Sequence, residues 1–517
     1  MSVITLSDVK LPIGKPESEL LKIAEKKLKK KPAYFAIKKK SLDARDKENI
    51  RFVYTIEFSA SLQPKTEKRY ERLPECKRPE KPVLVVGSGP AGLFCALRLI
   101  ERGILPVVVE RGEPVEEREK KISRFVAEKI LDENCNVQFG EGGAGTFSDG
   151  KLNTQTHSPL NRDVLQTFVK FGAPEEILWL NKPHLGSDNL KNIVKNMREY
   201  IRSCGGEIYF NTKLTDLKIR NGELVAAELA NTKTGESRVV EPSALVLAIG
   251  HSARDTFEIL CTRGVQIKQK DFAVGVRIEH LQAKIGFAQY GEKYSLLPAA
   301  DYKLVSKGEE RSAFTFCMCP GGFVMPAASE KGGVVVNGMS NYARNEKNAN
   351  SALIVQVRAS DFPNQTALGG VEFQRELEQN AYLAGGKNYA APVQLVGDFL
   401  KDKTSEKFGE VTPSYGAGTS FSDLRAVLPS YIISSLKLAL TDMDRKLKGF
   451  ASPDAVLTAV ESRTSSPVRI ERNDDLQSVN VQRLYPCGEG AGYAGGITSS
   501  AADGLRVAEA IYENFLR

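Results

Sequence analysis

The segment Val83-Leu-Val-Val-Gly87-Ser-Gly89-Pro-Ala-Gly92 constrains this chain more than any other. An apolar run breaks at once into G-x-G-x-x-G and then resumes as an apolar helical pattern. The reading is a strand Val83–Val86, a tight turn, a helix Ala91–Arg102 and a second strand Pro106–Glu110. That is a βαβ unit, which implies a parallel sheet with helices on its faces. Gly87 permits the turn, Gly89 lets backbone approach a pyrophosphate, and Gly92 lets the helix lie close to the sheet. The helix N-terminus, from Ser88 through Pro90 and Ala91, offers unpaired amides to a diphosphate. Glu110 follows Gly92 by 18 residues, at the end of the second strand, where a carboxylate accepts hydrogen bonds from ribose hydroxyls. Arg111 beside it completes this half of an expected dinucleotide site.

Three other segments select the dinucleotide. Leu245-Val-Leu-Ala248-Ile-Gly250 reads as a strand leaving the second half of such a domain. Leu484-Tyr-Pro-Cys-Gly488-Glu489, followed by a glycine turn and the helical run from Gly496-Ile497-Thr-Ser499, reads as a closing strand, acid and helix. Glu489 is placed to hold a ribitol hydroxyl, and the helix N-terminus to face the flavin O2 side, where negative charge builds on reduction. An NAD domain needs no distant closing segment of this kind. Between them, Gly142, Gly143, Ala144, Gly145, Ser148, Asp149 and Gly150 belong to a glycine-dense loop that predicts backbone lying against a ligand. The expected cofactor is therefore FAD.

These segments, together with Gly-His-Ser-Ala-Arg-Asp (250–255), Phe-Cys-Met-Cys-Pro-Gly-Gly (316–322) and Glu-Ser-Arg-Thr-Ser-Ser-Pro-Val-Arg-Ile (461–470), resemble the bacterial family of uncharacterised FAD-dependent dehydrogenases, also called NAD(FAD)-utilising dehydrogenases. The likeness runs the whole chain. More distantly the chain resembles flavoproteins of the glutathione-reductase-2 type. The resemblance implies FAD held by the first glycine turn, Glu110, the 142–150 loop and the 488–499 segment, with backbone near Leu214 at the adenine. It implies no settled substrate.

Absent patterns narrow the chemistry. Residues 270–450 hold no second strand–GxGxxG–helix unit, so a nicotinamide domain of the glutathione-reductase kind is not expected. No CxxxxC follows the first helix, and Gly488-Glu489 is not followed by the Ala-His and Pro of aromatic hydroxylases. Hydride must come from a substrate, from NAD(P)H docking transiently without its own Rossmann unit, or from a partner. Catalytic residues are otherwise unassigned; the candidates are Cys317, Cys319 and Arg463. On a regular strand a direct bridge between Cys317 and Cys319 would be strained, whereas in a turn before Pro320 they could pair. They read either as small buried residues or as a redox partner of the flavin. Arg463 opens a cluster with Thr464, Ser465, Ser466 and Arg469 that suits either an anionic substrate or a hydrogen-bonded turn. Of four histidines, only His251 falls near the expected cofactor, and no metal constellation is visible.

The 517 residues allow two to four domains. The expected class is α/β: a Rossmann-like FAD-binding core (81–270 and 451–517), an inserted α+β substrate domain (271–450) and a small α+β N-terminal domain (1–80). The formal charge of +8 is local. Residues 1–82 carry 21 basic and 12 acidic side chains, while the rest carry 51 and 52. The lysines of 26–40 make an RNA-associated flavoprotein the alternative, although no RNA-binding signature accompanies them. No apolar run is long enough for a membrane span, no secretory signal is visible and the cysteines are scattered, so a cytoplasmic protein acting on a small molecule is expected. Nothing in the sequence specifies an oligomeric state.

Overall fold

The computed structural model describes residues 3–61, 70, 75–308 and 310–516. Its centre is a five-stranded sheet in the order Leu484–Pro486, Ala244–Leu247, Val83–Val86, Pro106–Val109, Glu207–Tyr209. Every neighbouring pair is parallel. The inner strands are continuous apolar runs because both faces are covered. On one face lie the helices Pro90–Glu101 and Ile497–Leu516, packed through Leu93, Leu97, Ala501 and Leu505. On the other, Leu84, Val86, Leu245 and Leu247 meet Leu214, Leu217 and Leu229 of an antiparallel meander, Thr212–Arg220, Glu223–Asn231 and Ser237–Val240.

Two glycines set the layer spacing. A Cβ on Gly92 would lie 1.9 Å from the Gly87 carbonyl oxygen, and one on Gly504 would lie 2.1 Å from the Ala91 carbonyl oxygen. The first supports the packing role read from the sequence. The second shows that the closing helix touches the first helix backbone to backbone.

The chain leaves this core at Ile267–Gln269 and returns at Val468–Ile470, and these two stretches pair antiparallel. Between them a seven-stranded sheet forms, with central strands Asn348–Val357, Phe272–Leu281 and Val456–Glu461. The helices Gly369–Ala384 and Ser430–Lys446 share its apolar core. The strand Val456–Glu461, assigned from sequence to the closing segment, belongs to this sheet. It pairs with Phe272–Leu281 on one side and Ala391–Leu395 on the other. The apolar pattern after 450 looks alike for either partner, and only long-range pairing decides between them. The strand Val336–Met339 begins only at the end of the apolar run Val334–Val336, because the Val334 amide donates instead to the Glu378 carbonyl.

The N-terminal unit is a three-stranded antiparallel sheet with Arg51–Ser59 between Ile4–Pro12 and Tyr34–Asp43. The helix Ser18–Leu28 covers it with Leu20 and Ala24. The unit joins the body through backbone bonds between Lys40 and both Trp179 and Asn181. From Glu75 to the strand Val83–Val86 the chain is irregular, with a bridge at Lys77. No helix among the described residues is long and apolar enough to cross a membrane.

Candidate functional site

A cavity of about 330 Å³ runs along the carboxyl ends of the central strands and under the edge of the seven-stranded sheet. It gathers segments far apart in sequence. Gly87, Gly89, Pro90, Ala91, Glu110 and Arg111 line one end, with Leu214 and Lys213 beside them. Gly143, Ala144, Gly145, Ser148, Asp149 and Gly150 form one wall, and Ala248 and Gly250 the wall opposite. Glu489, Gly496 and Ile497 line the far end, where Phe316, Cys317, Asn337, Glu461 and Arg463 close it from the inserted sheet.

Six residues expected at the site shape the cavity without lining it. Ser88 is buried and donates from both backbone N (2.9 Å) and Oγ (2.8 Å) to Glu110 Oε2. Gly92 sets the layer spacing. Gly142 must be glycine because a Cβ would meet Thr146 Oγ1 at 2.0 Å. Gly488 adopts φ +74° and donates its amide to Asp503 Oδ2 at 2.8 Å. Ser499 is half-buried and turned back to the glycine turn, where its Oγ accepts from the Gly495 amide and donates to the Gly496 carbonyl. Ser500 lines the cavity in its place. Cys319 is fully buried behind Cys317.

Each glycine turn is tied by a carboxylate. Glu110 accepts four hydrogen bonds at once, from Ser88 N and Oγ and from the amides of Gly112 and Gly140 at 3.0 Å each. These occupy most of what a carboxylate can accept, so Glu110 acts first as a brace between the first turn and the glycine loop. Asp503 plays the same part at the closing turn. It holds the Gly488 amide while Arg472 grips both its oxygens, at 2.9 and 2.8 Å. No side chain caps the N-terminus of Pro90–Glu101, which leaves its first amides facing the cavity.

The sequence reading missed Arg118. Its fully buried guanidinium donates to the carbonyls of Asn136, Val137, Gly140, Glu141 and Gly143, and so holds the glycine loop by its backbone. Burial with no paired carboxylate pushes its pKa down to about 10. A single arginine inside a charged amphipathic helix carries no signal of this role. Arg111, by contrast, was expected, and Asp255 fixes it through a two-pronged pair (3.0 and 2.8 Å) over the Phe139 ring.

At the far end the wall is made of buried charge. Arg277 donates to both oxygens of Glu461 at 2.8 and 3.1 Å, and also to the Cys317 carbonyl at 2.9 Å. Glu378 lies between two arginines. Arg254 reaches its oxygens at 2.7 and 3.0 Å, and Arg463 at 2.7 and 2.9 Å. The flanking guanidinium groups hold its carboxyl far below the usual range. Arg463 is thus committed to an ion pair. Thr464 and Ser466 likewise donate to the Ala273 and Gly490 carbonyls, so the polar cluster is a joint between the inserted sheet and the closing turn. His251 lines the cavity, and burial beside Arg463 and Arg254 pushes it down to about 3. Burial pushes Glu489 the other way, up to about 7, against Lys270. Lys151 was also missed. It pairs with Asp149 at 3.0 Å and donates to the Met318 carbonyl beside Cys317. No cluster of His, Cys, Asp or Glu among the described residues could hold a metal ion.

Comparison with known proteins agrees with this geometry. Residues 271–464 match the model described as "FAD-dependent protein, C-terminal domain-like", residues 80–121 an FAD binding domain, and residues 3–59 a domain of unknown function. Among solved structures, CtdE in complex with FAD is 12% identical, with 84% of each chain covered and a TM-score of 0.33. The flavin-dependent halogenase CmlS is 14% identical over 84% of this chain and 58% of its own, with a TM-score of 0.39. A protein of Clostridium beijerinckii described as uncharacterized is 47% identical over 500 residues, 92% of both chains. With that relative, which it matches along nearly its whole length, this chain belongs to one family of FAD-dependent proteins.

Proposed function

We propose that the protein is an FAD-dependent oxidoreductase of the dehydrogenase type acting on a small molecule. The observation that carries this reading is the continuity of the cavity: one space runs from the first glycine turn to the inserted sheet. Room for a ligand is visible at the closing turn, where a Cβ on Gly495 or Gly496 would meet nothing within 4 Å. Protein packing does not demand glycine there; a cofactor lying against the backbone would.

In this reading the amides at Gly89–Ala91 hold the diphosphate and Arg111 stands at the nucleotide end with Leu214. The Gly143–Gly150 loop covers the middle. Glu489 and the N-terminus at Gly496–Ile497 meet the flavin end. Bound FAD supplies two-electron chemistry, and the chain supplies orientation and electrostatics. His251 stays neutral at physiological pH, and with its proton affinity lowered this far it lines the cavity as a hydrogen-bonding group rather than as a base. The Arg277–Glu461 and Arg254–Glu378–Arg463 groups bring the inserted sheet's edge over the flavin end and limit water there. That sheet is mostly antiparallel, unlike a nicotinamide-binding Rossmann unit. Any NAD(P)H donor would therefore dock in the same cavity.

The test is the visible spectrum of the purified protein, followed by anaerobic titration with NADH and NADPH. A bound-flavin band that one nicotinamide bleaches supports the reading and names the donor. A folded protein with no flavin band refutes it.

A further inference from the structure

The strand Ser312–Cys319 is the element that brings sulfur to the cavity, and it does so by breaking its own register. Phe316 pairs with Ala352 but Cys319 pairs with Asn350, so two residues on one strand, Cys317 and Met318, face one on the other, Ser351. A bulge of this kind re-aims side chains. Cys317 takes φ +41°, a left-handed conformation costly for a residue with a Cβ. On a regular strand residues two apart point the same way with their Cα atoms about 6.6 Å apart and their side chains parallel. The intervening bulge instead turns Cys319 back on its neighbour, so that its Sγ donates to the Cys317 carbonyl at 3.3 Å. Both cysteines are free, Cys319 fully buried and Cys317 half-buried on the cavity wall. Phe316 beside it is 38% exposed at the cavity mouth.

We propose that Cys317 and Cys319 form a dithiol–disulfide couple that exchanges two electrons with bound FAD and with small dithiol substrates entering past Phe316. The proposal rests on the functional reading above and names its substrate class. The surroundings suit a thiolate at Cys317 in the reduced couple. Lys151 and Arg277 flank it, and the Cys319 S–H bond and these two cations together hold its thiol well below the usual range. Cys319, buried and bonded to Cys317, is held well above that range and suits the resolving thiol.

The chemistry balances. A substrate thiol gives up its proton and attacks Cys317 Sγ of the disulfide, the Cys317–Cys319 bond breaks, and Cys319 leaves as a thiolate that takes up that proton. The second substrate thiol then attacks the mixed disulfide, which closes the substrate disulfide and frees Cys317. In the return step the Cys317 thiolate and Cys319 join in one S–S bond as the Cys319 S–H bond breaks. Two electrons and that one proton pass to FAD.

The test mixes the full-length holoprotein with dithiothreitol without oxygen and follows the flavin band. Wild type is expected to bleach about 100-fold faster than Cys317→Ser or Cys319→Ser at equal flavin content. Equal rates overturn the proposal. The wild type alone gives a second reading through thiol alkylation and mass spectrometry. Holoprotein reduced with dithionite, then acid-quenched and unfolded for alkylation, should take a label on both cysteines, and air-oxidised holoprotein treated alike on neither. Two labels in both states overturn the couple whatever the variants do. Failure with an intact flavin band removes only this couple, whereas a protein without the band removes the oxidoreductase reading as well.

Discussion

The two ends of the cavity are built from different materials. At the nucleotide end the wall is backbone: glycine turns at 87–92 and 140–150, tied by Glu110 and Arg118 through amides and carbonyls. At the flavin end the wall facing the inserted sheet is side chain: Arg277 on Glu461, and Glu378 between Arg254 and Arg463. A backbone wall suits a charge that is fixed and the same in every member of a cofactor class. A side-chain wall can change with the substrate. The difference predicts where substitutions act on folding, on cofactor and on turnover.

The largest effect is expected at Glu378. Glu378→Ala strands two buried guanidinium groups and should cost about 3–5 kcal/mol, read as a shift in chemical denaturation. A shift below about 1 kcal/mol would show that water reaches the flavin-end wall and that its charges are not buried in solution.

Arg118→Met comes next and tests the other wall. It leaves carbonyls of the glycine loop without donors, at about 1–3 kcal/mol for each acceptor that water cannot reach. Flavin should be lost on gel filtration together with stability. Retention of flavin by a destabilised protein would show that the loop does not hold the cofactor.

A pair of glycine substitutions sharpens the contrast. Gly92→Ala forces a Cβ onto the Gly87 carbonyl and should cost about 1–3 kcal/mol or more. Gly496→Ala meets no protein atom, so the apoprotein should stay within about 0.5 kcal/mol of wild type. Its FAD dissociation constant, read by fluorescence, should nevertheless rise. An unchanged constant would mean that the space before Gly496 is not cofactor space.

The smallest effect is a pH dependence. Burial raises Glu489 to about 7 in the folded apoprotein. The folded state therefore holds this proton more tightly than the unfolded chain. The associated stability is full below the unfolded carboxyl pKa and is lost as pH rises toward 7. Apoprotein melting measured from pH 5 to 8 should fall more in wild type than in Glu489→Gln. Parallel profiles would show that Glu489 is solvated.

Much of the nucleotide end was legible because its signals are local. Gly87, Gly89, Gly92 and Glu110 span 24 residues, and each has a steric or hydrogen-bonding reason tied to its place in one βαβ unit. The 142–150 loop and the 488–499 segment were legible for the same reason, as glycine turns joined to a strand or a helix. Glu110 itself was read only in part, since its role as a brace for Gly140 depends on a loop 30 residues away. Arg118 was invisible because its partners are carbonyls, which every residue has. The Arg277–Glu461 pair was invisible because 184 residues separate its members. The strand that carries Glu461 was even assigned to the other unit.

The sequence by itself determined the dinucleotide core, the cofactor class and the positions where backbone must come close. These follow from residue spacing within one turn, one strand and one helix, where local sterics leave few alternatives. Tertiary structure alone decided which charges are buried together, which strand completes the inserted sheet and that a bulge turns Cys317 toward the cavity. Those outcomes depend on pairing between distant segments. There the energy lies in burying and matching groups that no local pattern relates to one another.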